Sequence, residues 1–272
     1  MKYGFVFPGN DVHEAVAFGI AAEQAGWDGF FVWDSVWGVD PWVTLAAVAV
    51  QTKRIRLGTM LTPVSRRRPW KLAGETSTLD QISGGRVILA AGLGAPDTGF
   101  EAFGEETDRK IRAELMDEGL AIIEGLWRGQ PFNFSGKHYQ VKETTFHPAP
   151  PPVQQPRIPV WMVGGWPREK SMRRVLAWDG LLPNKMEADG SHGKASPDDL
   201  RAMKAFIDER RTRDTPFDIV MEGVTPGDPA RAAEQIRPYA EAGATWWLEA
   251  IWTSPSLDPV RERLLQGPPA QP

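Results

Sequence analysis

Short apolar runs alternate along this chain with longer stretches in which apolar positions recur every three or four residues. The first kind predicts strands and the second helices, because side chains return to the same face every two residues on a strand and about every 3.6 on a helix. Taken in order, the pattern predicts strand Tyr3–Phe7 with helix Val12–Ala25, which Gly26 closes, then strand Phe30–Trp33 with helix Pro41–Gln51. Strand Ile55–Leu61 with helix Pro69–Gln81 and strand Arg86–Ala91 with helix Arg109–Trp127 follow. The clearest stretch is Thr78–Gly94. It reads as a helix end, a Ser83-Gly84-Gly85 stop and an uncharged run Val87–Leu93, which suits a strand buried on both faces in a parallel sheet. Gly84 and Gly85 supply the positive φ that a helix C-terminus calls for.

The alternation breaks over residues 129–159. Phe132, Phe134, Tyr139, Val141 and Phe146 stand among turn residues, and six prolines fall between 148 and 159. Proline cannot donate to a ladder, so this segment predicts a short hairpin and an extended connection outside the main sheet. The pattern then resumes with Val160–Val163 and Glu169–Trp178, Gly180–Leu182 and Pro197–Arg210, Asp218–Glu222 and Pro229–Glu241, and Thr245–Ile251 and Pro259–Leu265. Residues 267–272 read as a frayed tail. Eight strand–helix pairs with an insertion after the fourth point to an α/β fold, a closed (β/α)8 TIM barrel spanning residues 1–272 as one domain, more than to an open doubly wound sheet.

Composition narrows the function. With 272 residues, 42% hydrophobic and 24% charged, the chain has ample length for a large core. A net charge of −4 carries no basic excess, so nucleic acid and anionic membranes are not expected partners. The absence of cysteine excludes disulfides, thiolate nucleophiles and thiolate-bound metals. The apolar stretch Trp42–Val50 is too short to span a bilayer, and Met1-Lys2 leads directly into a strand, so the chain reads as soluble and cytoplasmic.

In such a barrel the active site sits at the carboxyl ends of the strands. Those ends hold Phe7-Pro8-Gly9, Trp33-Asp34-Ser35, Thr59–Thr62, Gly92-Leu93-Gly94, Gly164-Gly165-Trp166, Pro183-Asn184-Lys185, Glu222-Gly223 and Glu249–Trp252. Glycines and aromatics dominate and acid–base groups are few, which suggests that a bound cofactor carries the reaction. None of His13, His138, His147 and His192 stands at a strand end or at ligand spacing from another, so no metal is expected. Asp34 either orients substrate or caps the helix that starts at Pro41. Glu222 and Glu249 either act chemically or bridge to loop backbone. Gly164-Gly165-Trp166-Pro167-Arg168 reads either as a turn into a helix or as an anion site at the helix start.

Seven segments in register resemble the bacterial luciferase-like flavin-dependent oxidoreductases: Lys53–Thr59, Thr78–Arg86, Gly92-Leu93-Gly94, Phe103-Gly104, Leu126-Trp127, Phe134–Tyr139 and Pro159–Gly165. The resemblance implies a barrel that binds FMN at its carboxyl face or, in one branch, an 8-hydroxy-5-deazaflavin coenzyme. It implies flavin contacts from Gly92, Leu93 and Gly94, a phosphate site at Gly164, Gly165, Trp166 and Arg168 with Arg109 (or Lys110 or Arg112) assisting, and a non-proline cis peptide at Thr59-Met60 against the ring. In several deazaflavin-dependent members a histidine follows the aspartate at the second strand end. Here Ser35 follows Asp34, which puts sugar-phosphate dehydrogenation in doubt and leaves Asp34 and Ser35 as the candidate catalytic pair. The implied activity is a monooxygenase using reduced FMN from a separate reductase, O2 and a small organic substrate. Deazaflavin-dependent hydride transfer and a flavin-binding protein without turnover are the alternatives, and the resemblance implies a homodimer.

Overall fold

Eight parallel strands form a closed ring: β1 (Lys2–Phe7), β2 (Gly29–Val32), β3 (Arg56–Thr59), β4 (Val87–Gly92), β5 (Val160–Trp166), β6 (Gly180–Met186), β7 (Asp218–Gly223) and β8 (Trp246–Ala250). Each pairs with the next, and β1 closes the circle on β8 from Lys2 opposite Trp246 to Val6 opposite Ala250. This computed structural model describes residues 1–144 and 149–271; Phe146 and His147 lie outside the described residues.

The strands are wrapped by α1 (Val12–Gln24), α2 (Pro41–Gln51), α3 (Pro69–Ser83), α4 (Arg109–Arg128), α5 (Glu169–Val175), α6 (Pro197–Arg210), α7 (Pro229–Glu241) and α8 (Asp258–Leu265). Their starts follow local chemistry. Pro41, Pro69, Pro197 and Pro229 open helices where the missing N–H costs nothing, and Asp40, Ser196 and Asp228 accept from the free first-turn amides. Gly84 ends α3 at φ 68°, as the Ser-Gly-Gly stop implied. The helix that starts at Pro41 is capped by Asp40, not by Asp34.

Strand alternation separates two cores. Residues facing the helices form the larger one, while Val6, Phe31, Ile88, Ala90, Trp161, Leu182, Val220, Trp246, Leu248 and Ala250 fill the barrel. In its lower half Phe31 stacks on Trp161 at 5.5 Å between ring centroids, and Trp161 meets Trp246 edge-on at 5.2 Å. Inward glycines make room for these rings: a Cβ on Gly29 would lie 2.7 Å from Phe31 and one on Gly180 2.4 Å from Trp161. The barrel is plugged at its amino end.

The insertion leaves the barrel as expected. A hairpin of Phe132–Ser135 and Gln140–Thr144 is clasped to α4 by Glu118, which accepts from the amides of Lys137, His138 and Tyr139. Farther on, Gln154 covers the amino end, donating to Val87 O and accepting from Arg56. Two expectations change. β5 and β6 continue well past Val163 and Leu182, so Gly164-Gly165 is strand, not turn. The expected frayed tail is tied back through residue 271: Tyr3 Oη donates to Ala270 O at 3.0 Å, and the Ala270 amide donates to Pro229 O.

Candidate active site

The carboxyl ends of the strands open onto a cavity of about 1480 Å³. That exceeds the several hundred to about 1,000 Å³ of an ordinary ligand pocket and gives room for a cofactor and a substrate together. Its floor is the top inward layer: Met60, Leu61, Val163, Leu182, Val220 and Ala250, all apolar. The Met60–Leu61 peptide is cis, one bond beyond the expected Thr59-Met60.

Strand parity decides which expected site residues reach the cavity. Asp34, Met60, Gly92, Leu93, Gly94, Arg109, Gly165 and Arg168 line it. Thr59 faces the helices, fully buried, its hydroxyl paired with that of Thr62 at 2.9 Å. Gly164 is also turned outward, where a Cβ would strike Leu181 at 2.4 Å and Met172 at 2.8 Å, so it is a packing glycine. Trp166 packs edge-on against Phe206 of α6. Ser35 lies outside the lining, against the backbone at Gly38. Gly165, by contrast, faces the cavity, and its amide donates to Ser171 Oγ at 2.9 Å.

Asp34 is fully engaged. Its carboxylate accepts from Arg66 Nη2 at 2.8 Å and from Arg67 Nε at 2.9 Å, and its backbone carbonyl also accepts from Arg66. Burial lowers the Arg66 pKa despite Asp34, whereas on Arg67 the pull of Asp34, Asp40 and Glu75 outweighs burial and raises it. The difference follows from the partners: Arg67 has three acids around it and Arg66 chiefly one. Arg66 and Arg67, in the basic run Ser65-Arg66-Arg67-Arg68, are half-buried against an acid some 30 residues upstream.

The β4 end is held from α4. Arg112 Nη1 donates to Leu93 O at 2.9 Å and to Gly94 O at 3.2 Å, and its guanidinium lies 5.5 Å from the Phe100 ring, so it is a clasp on the loop. Gly94 has φ 71°, and a Cβ there would wedge between Phe100 and Pro63, each at 2.8 Å.

Charge is distributed unevenly. Arg109, Lys110, Arg168 and Lys170 line the rim, and among the described residues none has an ion-pair partner. Glu114 and Asp117 beside them are occupied by Lys137 with His138 and by Arg174. The Lys137 and His138 hydrogen bonds lower the Glu114 pKa to about 2. Inside, Glu222 projects from β7, where water reaches it although protein surrounds it. Burial raises its pKa, against a 3.3 Å hydrogen bond from Trp252 Nε1 and the field of Lys194. Glu249, one strand over, faces outward and is buried. It accepts from Thr225 N at 2.8 Å and from Arg263, which is the loop-bridging role; burial raises its pKa too. Among the described residues no three His, Asp or Glu side chains converge on a metal position, and no helix is long and apolar enough to cross a membrane.

A large cavity with an apolar floor and an unpaired cationic rim suits an elongated organic group with an anionic tail. Arg112 Nε is buried on the cavity wall without a partner among the described residues. The donor set therefore fits a flavin-type cofactor.

Comparison with known proteins gives a consistent result. A family model described as luciferase-like monooxygenase matches residues 4–224. An F420-dependent glucose-6-phosphate dehydrogenase of Amycolatopsis mediterranei is 27% identical over 289 residues, covering 85% of this chain and 86% of that protein. The oxygenase component of a flavin-dependent trigonelline monooxygenase of Acinetobacter baylyi is 33% identical over 123 residues, 45% of this chain and 33% of that protein. The coenzyme F420 dependent tetrahydromethanopterin reductase of Methanopyrus kandleri superposes with a TM-score of 0.77 at 17% identity over 98% of both chains, a likeness of fold.

Proposed function

The chain belongs to the luciferase-like monooxygenase family, and from that premise we propose that it transfers hydride between a deazaflavin of the F420 type and a small, largely apolar alcohol or carbonyl compound. The observation that carries the choice of cofactor is the match to an F420-dependent dehydrogenase over most of both chains. When bound, a deazaflavin supplies one ring carbon that takes or gives a hydride, so the protein need only bind, orient and manage a proton. The rim cations Arg109, Lys110, Arg168 and Lys170 would hold the phosphate. Met60, Leu61, Gly92, Leu93 and Gly94 would bound the ring system.

The substrate departs from a sugar phosphate. Asp34 is consumed by Arg66 and Arg67, Ser35 is outside the cavity lining, and the floor is apolar, so hydroxyl-rich sugars would lose hydration without matched partners. An apolar carbon skeleton costs nothing there. The second reading, monooxygenation with reduced FMN from a separate reductase, is supported by the Acinetobacter oxygenase component and by the dry floor, which suits an oxygenated flavin.

Spectroscopic titration of the purified protein with an F420-type deazaflavin and with FMN tests the choice. The deazaflavin is expected to bind at least about tenfold more tightly, a difference of about 1.4 kcal/mol, and to be reduced anaerobically by a member of a panel of secondary alcohols. Tighter FMN binding, with substrate-stimulated oxygen uptake by the reduced form, overturns hydride transfer in favour of the oxygenase. Binding without turnover on either panel leaves a flavin-binding protein.

A further inference from the structure

We propose that Glu222 is the group that exchanges the substrate proton accompanying hydride transfer. The inference rests on the hydride-transfer reading above and assigns a role at that same site.

It follows from a census of the acids that line the cavity. Asp34 is held by two arginines, Asp117 by Arg174, and Glu114 by Lys137 and His138. Asp108 caps α4 through the Ile111 amide, and Asp97 is exposed on a short 3-10 turn over residues 96–98. Glu222 alone among them combines an inward position on a barrel strand with no ion-pair partner among the described residues. On β7, Val220 lies in the floor, Met221 faces the helices, and Glu222 returns inward one layer above Val220, opposite Leu248 of β8.

The groups facing Glu222 suit a proton carrier. Trp252, from the loop after β8, donates its Nε1–H to Oε2, and among the described residues no donor pairs with Oε1. Lys194, from the loop after β6, has its ammonium 5.9 Å from the ring centroids of both Trp247 and Tyr239, so it contributes a field without neutralising the acid. The surrounding protein raises the Glu222 pKa above the ordinary glutamate value, against the Trp252 hydrogen bond and the Lys194 charge, while the carboxyl stays open to the cavity; that is the direction a proton-transfer group requires. His192 also lines the cavity, but it is exposed at the rim and bonded to Asn184.

The balance is complete with the hydride acceptor already named. As an alcohol is oxidised, the substrate C–H pair would leave as hydride, for which a bound deazaflavin would supply the acceptor. The O–H bond breaks, its electron pair forms the C=O bond, and the proton passes to the Glu222 carboxylate. In the reducing direction the carbonyl carbon accepts hydride and its oxygen takes the proton from Glu222.

The test uses Glu222→Gln, Trp252→Phe and His192→Gln in the full chain, with two readouts. Carbon-13 NMR of glutamate-labelled protein, without cofactor, should show several carboxyls titrating above the ordinary glutamate value, Glu249 and Glu75 among them; one of these should vanish in Glu222→Gln and move higher in Trp252→Phe, where the donor that favours the carboxylate is gone. In deazaflavin-loaded enzyme turning over the alcohol found above, Glu222→Gln should lower kcat by about a hundredfold or more, the usual range for losing an acid–base group. Deazaflavin affinity should stay within about twofold, and the acidic limb of the kcat–pH profile should disappear. Trp252→Phe, which keeps Glu222, should shift that limb upward, so a misfolded Gln variant would not end the test. Retained kcat and an unchanged limb in Glu222→Gln, or loss of the limb in His192→Gln instead, overturns the role of Glu222 while hydride transfer stands. A parent protein that fails to bind the deazaflavin overturns hydride transfer first and this inference with it.

Discussion

Replacing Asp34 should unfold the protein more than it should alter its chemistry. The Asp34 side chain is 1% exposed and that of Arg66 6%. Asp34→Ala removes the carboxylate that Arg66 faces and leaves a buried guanidinium whose remaining acceptor is one backbone carbonyl. Breaking one side of a buried ion pair costs about 3–5 kcal/mol. The lower end applies here, because Arg67 keeps Asp40 at 3.5 Å and Glu75 at 3.4 Å. About 3 kcal/mol in a chain of this size lowers the melting temperature by roughly 6–12 °C at about 2–4 °C per kcal/mol. Asp34→Asn, which keeps the shape and one acceptor, should lose about half as much. Urea unfolding followed by tryptophan fluorescence gives the free energies, and a double-mutant cycle with Arg66→Met should give a coupling of about 1.5 kcal/mol or more. An Asp34→Ala protein within about 0.5 kcal/mol of the parent, but inactive, would refute the structural role and make Asp34 a chemical group.

Three further outcomes follow from named contacts. Gly94→Ala should cost about 1–2 kcal/mol for the left-handed backbone alone, with more from the wedge against Phe100 and Pro63, whereas Gly74→Ala, where a Cβ inside α3 meets open space, should stabilise by about 0.5–1 kcal/mol; chemical denaturation compares the two. The Glu114 clasp has a pKa lowered from the ordinary 4.5 to about 2 by Lys137 and His138, so its contribution is whole above pH 4.5 and fades as pH falls toward 2. Protection of the hairpin amides, measured against intrinsic exchange at each pH, should therefore fall over that window in the parent and not in Glu114→Gln. Arg168→Ala, at an exposed rim position, should leave the melting temperature unchanged and weaken binding of a phosphate-bearing deazaflavin by about 1.5–3 kcal/mol, the range for a charge-assisted hydrogen bond; equal affinity in calorimetry moves the phosphate to another part of the rim.

The fold was legible because each strand–helix pair carries its own local signals, and the ring closes on contacts those signals permit. The site was legible only where strand ends were drawn correctly. Gly164-Gly165-Trp166-Pro167 has the composition of a turn, which would let all three site residues face one ligand; with β5 running through Trp166, alternation sends Gly164 and Trp166 to the helices and Gly165 to the cavity. Thr59 and Met60 divide in the same way. Long-range pairing was invisible: nothing near Asp34 announces that Arg66 and Arg67 will fold back over it, and nothing near Leu93 announces Arg112. The family was legible because its segments keep their order and spacing, a signal independent of any one contact.

The aromatic plug divides the barrel into halves with unequal freedom to diverge. Below, Phe31, Trp161 and Trp246 are interlocked with Gly4, Gly29, Gly58 and Gly180, so a side chain added at any of these glycines collides with a neighbour, and a smaller residue in place of any of the rings leaves a void. Above, Met60, Leu61, Val163, Leu182, Val220 and Ala250 border open space, where volume can be traded one residue at a time. New substrates are therefore reachable by single steps from the upper layer, while the lower layer keeps the scaffold constant beneath them. A library meant to change specificity belongs in the floor.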